Sequence, residues 1–294
     1  MSSVQDVLEV LEVDIATNGI VKKDRKENFY PPLQERFKNY NNTPRKAAFG
    51  WVGGKSRLAN TIIAEFPQHM TYCEVFAGGL NVLFRKKRSK LEIINDINSE
   101  LINLYKTIQN LPQTLSLYLN EMLLSRQIFD DIKHKRLLPH NNIQAAAYYF
   151  YRLSQSFSST GDSYAMCKKD RAPKNIYRSF KVWSDRLRGV IIEKMDFSAL
   201  IRNYDWENIL FYIDPPYIGT ENYYDMPSGF GIAQHELLAY LLENIKGKFV
   251  LSYNDCEVVR ELYKNFVIKE VDVRYTMNAI VSTRKSKELI IKNF

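Results

Sequence analysis

The stretch Asn208-Ile-Leu-Phe-Tyr-Ile-Asp-Pro-Pro-Tyr217 decides the fold, because a short apolar run leads directly into a stiff polar loop. The run has the length and composition of a strand buried on both faces. Two successive prolines fix φ and donate no hydrogen bonds, so the loop presents the Asp214 carboxylate and backbone carbonyls as a row of acceptors. Open α/β sheets bind ligands at the carboxyl ends of their strands. The stretch therefore predicts a site for an amino group, with the Tyr217 ring placed to stack on a planar base.

Strand and helix patterns alternate on both sides of a mainly helical middle part. The segments 70–76, 91–95, 190–194, 249–253, 266–273 and 288–291 indicate further strands, and helical spacing separates most of them. This order predicts an α/β fold with a doubly wound, mostly parallel sheet and an inserted helical lobe. We divide the chain into an N-terminal appendage (1–44), a main domain (45–111 and 189–294) and the inserted lobe (112–188).

Composition excludes several classes of protein. The 294 residues contain three cysteines, Cys73, Cys167 and Cys256, which are too few and too scattered for a disulfide framework or a paired-cysteine metal site. No apolar run approaches the roughly 20 residues of a membrane-spanning helix, and the first residues lack the pattern of a secretory signal. None of the four histidines has a partner at metal-ligand spacing. We expect a cytoplasmic chain that binds neither a membrane nor a metal.

The positive charge is concentrated in the middle of the chain. The whole protein carries a formal net charge of +8. Residues 122–188 hold thirteen basic and five acidic side chains, so the net charge of this segment is also +8. A charged run is often only a solvated helix face, but this concentration is more typical of a lobe that faces phosphates.

A second motif indicates a nucleoside site. Glu74-Val-Phe-Ala-Gly-Gly79 follows one predicted strand, and Asp96 follows the next, 22 residues after Glu74. Glycines let the backbone approach a ligand, and an acidic residue at this spacing can bind ribose hydroxyls. The segment Gly50-Trp-Val-Gly-Gly-Lys-Ser56 is one residue short of a phosphate loop, so we do not predict an NTPase.

Taken together, these segments resemble the Dam-like (D12 class, alpha-group) DNA adenine methyltransferases, including those of phages and prophages. The resemblance covers about residues 47–294. Its motifs follow the family's order: Trp51-Val-Gly-Gly-Lys55, Glu74-Val-Phe-Ala-Gly-Gly79, Asn95-Asp-Ile-Asn98, Lys194-Met-Asp-Phe197, Asp214-Pro-Pro-Tyr217, Leu251-Ser-Tyr-Asn-Asp255 and Lys287-Glu-Leu-Ile-Ile291.

The resemblance implies a Rossmann-like methyltransferase sheet with an antiparallel terminal strand, in which the inserted lobe recognises the target. It implies methyl transfer from S-adenosylmethionine to the N6 amine of adenine in double-stranded DNA, at a short specific site, by base flipping and direct displacement without a metal. We expect a cytoplasmic, nucleoid-associated enzyme that is monomeric in solution and able to pair on DNA, with a role in restriction-modification.

The resemblance also assigns residues to each part of the reaction. The catalytic loop is Asp214, Pro215, Pro216 and Tyr217. Asp96 takes the ribose hydroxyls, and Asp196 and Phe197 take the adenine ring. The predicted cofactor contacts are Trp51, Lys55, Phe76, Gly78, Asp96, Asp196, Phe197 and Asp214. The predicted DNA contacts are Arg152, Ser156, Phe157, Lys168, Lys169 and Arg171.

Some positions depart from the family pattern. Leu80 stands where many relatives have a third small residue, and Leu153-Ser-Gln-Ser-Phe157 replaces the usual recognition residues, so the target sequence is not inherited. The first 44 residues have no counterpart in the family core. Two alternatives stay open: a methyltransferase acting on a cytosine amine or a glutamine amide, and a catalytically silent DNA-binding relative.

Overall fold

The computed structural model describes residues 46–165, 175–219, 229–274 and 285–294. Within these ranges seven strands form one sheet in the order β3-β2-β1-β4-β5-β7-β6. The strands are β1 (Thr71–Glu74), β2 (Leu91–Asn95), β3 (Ile191–Glu193), β4 (Ile209–Ile213), β5 (Lys248–Asn254), β6 (Val267–Arg274) and β7 (Lys285–Lys292). All neighbouring pairs from β3 to β5 are parallel, whereas β7 runs antiparallel to both β5 and β6. The predicted fold class is confirmed, including the antiparallel terminal strand.

The sheet has an apolar core on each face, as the alternation of side chains along a strand requires. In β4, Leu210 and Tyr212 pack into one core, and Ile209, Phe211 and Ile213 pack into the other. Both faces are therefore covered, which explains why the sequence of β4 is an unbroken apolar run rather than an alternating one.

Helices cover the sheet between these strands. They are α1 (Ala59–Ala64), α2 (Ser99–Asn110), α3 (Pro112–Glu121), α4 (Arg126–Lys133), α5 (Asn142–Gln155), α6 (Lys181–Leu187), α7 (Phe197–Tyr204), α8 (Ile232–Glu243) and α9 (Glu257–Leu262), with a 3₁₀ turn at Phe157–Ser159. Helices α3 to α6 lie in the predicted insert, whose status as a separate lobe remains a prediction. In the described part of the chain, no helix is both long and apolar enough to cross a membrane.

Local signals define the start of several helices. Asn98 caps α2 by accepting a hydrogen bond from the Leu101 N–H, and Ser125 and Asn141 cap α4 and α5 in the same way. The cap of α2 lies two residues after Asp96, the residue predicted to bind ribose. The same loop therefore ends β2, begins α2 and holds Asp96 at the carboxyl edge of the sheet.

Candidate functional site

A cavity of about 990 Å³ opens at the carboxyl ends of β1, β2 and β4. Its lining combines the motifs that follow these three strands with part of the inserted segment. Six of the predicted cofactor residues line it: Trp51, Lys55, Phe76, Gly78, Asp96 and Asp214. Residues from widely separated motifs thus face one cavity, as expected at the carboxyl edge of a parallel sheet.

Trp51 packs directly on the glycine turn that follows β1. A Cβ at Gly78 would lie 2.7 Å from the indole Nε1 of Trp51, and one at Gly79 would lie 2.9 Å from the Trp51 Cβ. Gly78 also has a φ of +44°, in the region that favours glycine. Both glycines are required for this close approach. Leu80, the departure noted above, takes a φ of 52° and is fully buried in the core.

The carboxylate of Asp96 ties the glycine turn to the loop before α2. Its Oδ2 accepts from the Gly78 N–H and its Oδ1 accepts from the Asn98 N–H, each at 3.0 Å. Burial raises the pKa of the Asp96 carboxyl above its ordinary value, although these backbone N–H groups lower it. A carboxylate oxygen has more than one acceptor site, so both oxygens of Asp96 can still accept a hydroxyl from the cavity.

A smaller cavity of about 90 Å³ adjoins the first and shares Phe76 and Phe230 with it. Asp196 and Phe197 line this second cavity, not the large one. The rings of Phe76, Phe197 and Phe230 form a cluster with centroid distances of 5.6–5.8 Å. Asp196 also caps α7, because its Oδ1 accepts from the Ser198 N–H at 2.9 Å. The rings are tilted by 31–82° to one another, and the cluster forms an apolar wall of the smaller cavity.

Asp214 is hydrogen-bonded from two directions. The Lys55 Nζ lies 2.7 Å from its Oδ1 and 2.9 Å from its Oδ2, and the Ser252 hydroxyl donates to Oδ1 at 3.0 Å. Lys55 is 7% exposed, whereas the Asp214 side chain is 19% exposed and faces the cavity. Burial lowers the pKa of Lys55, but Asp214 and Glu288 outweigh burial, so the pKa is raised and the ammonium stays charged.

Tyr217 lies beside Lys55 and contacts three side chains, Tyr253, Lys55 and Glu288, that the sequence did not predict as its partners. Its ring stacks on Tyr253 with centroids 5.5 Å apart, and Lys55 Nζ lies 4.6 Å from the ring centroid. Its hydroxyl donates a hydrogen bond to the buried carboxylate of Glu288. Burial, together with Asp214 and Glu288, raises the pKa of Tyr217 well above the ordinary value, so the hydroxyl remains a donor. Of the catalytic loop, Asp214 and Pro216 line the large cavity, and Pro215 is buried.

Glu74 is a buried residue of the cavity wall that our site assignment omitted. Its Oε2 accepts from the Tyr72 hydroxyl at 2.9 Å and from the Leu83 N–H at 3.1 Å. Burial raises its pKa to about 8, with a smaller contribution from Asp214. Near neutral pH this side chain is therefore largely protonated, and it adds a neutral polar group beside the glycine turn. Its position at the end of β1 was the only sequence signal for this role.

The predicted DNA contacts fall in different places. Arg152 lines the cavity and forms an ion pair with Glu100 at 3.1 Å. Phe157 is 67% exposed, on a turn with positive φ at Ser158 and Ser159. Lys168, Lys169 and Arg171 lie outside the described residues.

The placement of Ser156 corrects our prediction for that residue. Ser156 is fully buried, and its hydroxyl donates to the Leu153 carbonyl at 3.0 Å and accepts from the Gly161 N–H at 2.9 Å. The hydroxyl is thus used inside the turn that presents Phe157, so it does not offer a surface to DNA. A serine in a polar loop has the same sequence signal in either setting.

Not all of the positive charge in 122–188 faces solvent. Arg186 is buried and forms a two-point contact with Glu92, and Arg178 donates to the Ala48 carbonyl at 2.6 Å. Lys133 and Lys135, which we had not singled out, line the cavity beside Thr160 and Asp162. The basic residues thus divide between the packing of the fold and the rim of the site.

The fold and this site define an α/β protein with a mostly parallel sheet, in which a carboxylate loop faces a cavity at the carboxyl ends of the strands. The family model for D12 class N6 adenine-specific DNA methyltransferases matches residues 51–277, and the chain belongs to this family. It is 28% identical to the type II methyltransferase M1.LlaDCHI of Lactococcus lactis subsp. cremoris, over 83% of this chain and 94% of that protein.

Two further relatives are DNA adenine methylases. The chain is 24% identical to the DNA adenine methylase of Haemophilus influenzae, over 82% of this chain and 91% of that protein. It is also 24% identical to the retron Ec67 DNA adenine methylase of Escherichia coli, over 82% of this chain and 88% of that protein. The predicted family and enzyme class, adenine-specific DNA methyltransferase, are confirmed.

Proposed function

We propose that this enzyme uses S-adenosylmethionine to methylate the N6 amine of an adenine flipped out of double-stranded DNA at a short specific site. The observation that carries the proposal is that Asp214 lines the same cavity as Gly78 and Asp96, which are joined by a hydrogen bond. An amine acceptor and a nucleoside site thus lie within one enclosure, which direct transfer between two bound molecules requires.

The residues present fit the methyl donor. We assign Asp96 to the ribose hydroxyls, since its carboxylate is held in place by two backbone N–H groups. The aromatic cluster of Phe76 and Phe197, with Asp196 beside it, suits an adenine ring. Trp51 and Gly78 form a close-packed wall of the cavity that Asp214 also lines. When bound, S-adenosylmethionine supplies a methyl group already activated by its positive sulfur, so no metal is needed in the proposal.

Asp214 and the carbonyl of Pro215 are proposed to accept the two N–H groups of the adenine amine. The lone pair of that amine is delocalised into the ring, and two acceptors favour the form in which the pair is free to attack. The hydrogen bonds from Lys55 and Ser252 fix the Asp214 carboxylate in orientation. The chain therefore contributes mainly by positioning, and no covalent intermediate with the enzyme is part of the proposal.

A base inside a duplex cannot reach the cavity, so the target adenine must leave the stack at a cost of a few kcal/mol. Tyr217 is proposed to offset part of this cost by contact with the base. Lys133 and Lys135 at the rim, together with Arg152 and the exposed Phe157, are proposed to meet the duplex. Phosphate contacts of this kind position the protein, whereas polar contacts to base edges give the specificity.

The decisive experiment compares Asp214→Ala with Asp205→Ala. Asp205 is a matched control, because its carboxylate accepts backbone N–H groups of Lys246 and Gly247 and it does not line either cavity. Duplex DNA is incubated with the methyl donor, and N6-methyladenine is quantified by mass spectrometry after digestion to nucleosides. We expect the Asp214 variant to lose methyl transfer while still binding DNA, and the control to retain it. Product found as methylcytosine, or full activity of Asp214→Ala, would contradict the proposal.

A further inference from the structure

Glu288 is a buried carboxylate on the last strand of the sheet, within the terminal segment Lys287-Glu-Leu-Ile-Ile291, and no role has been assigned to it above. It lies opposite Asn254 in the antiparallel register of β5 and β7, and it is 1% exposed. Isolated buried charges are costly and are found paired with other groups. The partners of Glu288 therefore indicate what it does.

Two of those partners belong to the acceptor site. Glu288 accepts a hydrogen bond from the hydroxyl of Tyr217, and its Oε1 lies 3.5 Å from Nζ of Lys55. The same ammonium contacts Asp214 at 2.7 Å and donates to the Gly53 carbonyl at 2.9 Å. An ammonium has three N–H donors, and three acceptor groups surround it here. The position of Lys55 is therefore set by Glu288 as well as by Asp214.

From this arrangement we infer that Glu288 is a positioning residue for methyl transfer. It holds the Tyr217 ring and the Lys55 ammonium in fixed positions beside Asp214. The inference rests on the proposed role of the Asp214–Tyr217 loop. Without an acceptor at position 288, the Tyr217 hydroxyl would lose its buried hydrogen-bond partner. The Lys55 ammonium would then move closer to the Asp214 carboxylate, which is proposed to accept an N–H of the adenine amine. Glu288 does not line the cavity, so it acts through these two side chains.

The expected signature is a loss in kcat with little change in KM. We expect Glu288→Leu to lower kcat by at least about tenfold while KM for DNA and for the methyl donor stays within about twofold. Glu288→Gln keeps an acceptor oxygen for both partners, so we expect its kcat to stay within about threefold of the wild type. Leucine and glutamine have similar volumes, so the pair separates hydrogen bonding from packing.

A double-mutant cycle with Tyr217→Phe tests the path of the effect. If Glu288 acts through the Tyr217 hydroxyl, the double variant should be no slower than the slower single variant, because one interaction is being removed twice. Glu92→Gln is the control, since Glu92 is a 3% exposed strand carboxylate with three cationic partners, Lys86, Arg88 and Arg186, and lies outside both cavities. We expect this control to lower thermal stability but leave kcat unchanged.

Several results would overturn the inference. They are wild-type kcat in a folded Glu288→Leu variant, failure of Glu288→Gln to retain activity, or effects of Glu288→Leu and Tyr217→Phe that multiply. If the leucine variant does not fold, Tyr217→Phe decides the question, because it removes the contact with Glu288 from the other side and should lower kcat with little change in KM. Loss of activity in Asp214→Ala together with normal kcat in Glu288→Leu would refute this inference alone, whereas an active Asp214→Ala would refute the proposed function.

Discussion

The ammonium of Lys55 lies 2.7 Å from Oδ1 of Asp214 and joins the loop before α1 to the loop after β4. The resemblance had assigned Lys55 to the cofactor, and the side chain does line the large cavity. The contact with Asp214 gives it a second task, because it orients the proposed amine acceptor. The two proposed halves of the site, one for the methyl donor and one for the target base, would therefore share the side chain of Lys55.

Removal of the Asp96 carboxylate should weaken binding of the methyl donor. Charge-assisted hydrogen bonds to ribose would be lost, so we expect Asp96→Ala to cost about 1.5–3 kcal/mol of binding free energy, measured by calorimetry with S-adenosylmethionine. Asp205→Ala removes a carboxylate that likewise accepts two backbone N–H groups outside the cavities, and it should leave the affinity unchanged. Equal affinities for wild type and Asp96→Ala would place the ribose elsewhere.

A side chain at Gly78 should displace Trp51 and impair the cofactor site. Gly78→Ala combines a positive φ with a Cβ only 2.7 Å from the Trp51 indole. Gly189→Ala also meets a positive φ, +78°, but nothing lies within 4 Å of its Cβ. We expect both variants to lose stability, and only Gly78→Ala to lose affinity for the methyl donor, by about fivefold or more if overpacking costs about 1–3 kcal/mol. Similar affinities in the two variants would refute the close-contact argument.

Glu74 should make stability depend on pH. Its pKa is raised to about 8 from 4.5, so the folded state binds an extra proton between these values. The stabilisation is full below about pH 4.5 and is lost as the pH rises towards about 8, by roughly 4 kcal/mol. Glu74→Gln cannot lose a proton, so its thermal stability should fall less over this range. If the melting temperatures of wild type and variant change equally with pH from pH 5 to 9, the raised pKa of Glu74 is contradicted.

The rim lysines should contribute to the salt dependence of DNA binding. Log affinity falls with log salt at a slope of about −0.9 per neutralised phosphate, so Lys133→Ala with Lys135→Ala should flatten the slope and weaken matched and unmatched duplexes alike. The control changes Lys87 and Lys90, which are exposed and lie before β2 at the opposite edge of the sheet. It removes the same charge and should leave the slope nearly unchanged. Equal slopes in the two double variants would mean that only net charge matters.

The sequence by itself determined the fold and the residues at the ends of its strands. The bounds of β2 and β4 agree with the predicted strands. In β4 the apolar run is unbroken, because a strand buried on both faces needs apolar residues on both. Asp96 and Asp214 could be located because each directly follows such a strand, and parallel strands bring their carboxyl ends to one edge. These are local signals, readable from neighbouring residues.

Only the tertiary structure decided which distant side chains meet. The partners of Tyr217 are Tyr253 and Glu288, and the raised pKa of Glu74 follows from its burial. Ser156 appears in the sequence as a polar loop residue, yet it is buried because the turn needs its hydroxyl. Burial and long-range pairing depend on how strands from different parts of the chain register and pack, and no local pattern records that arrangement.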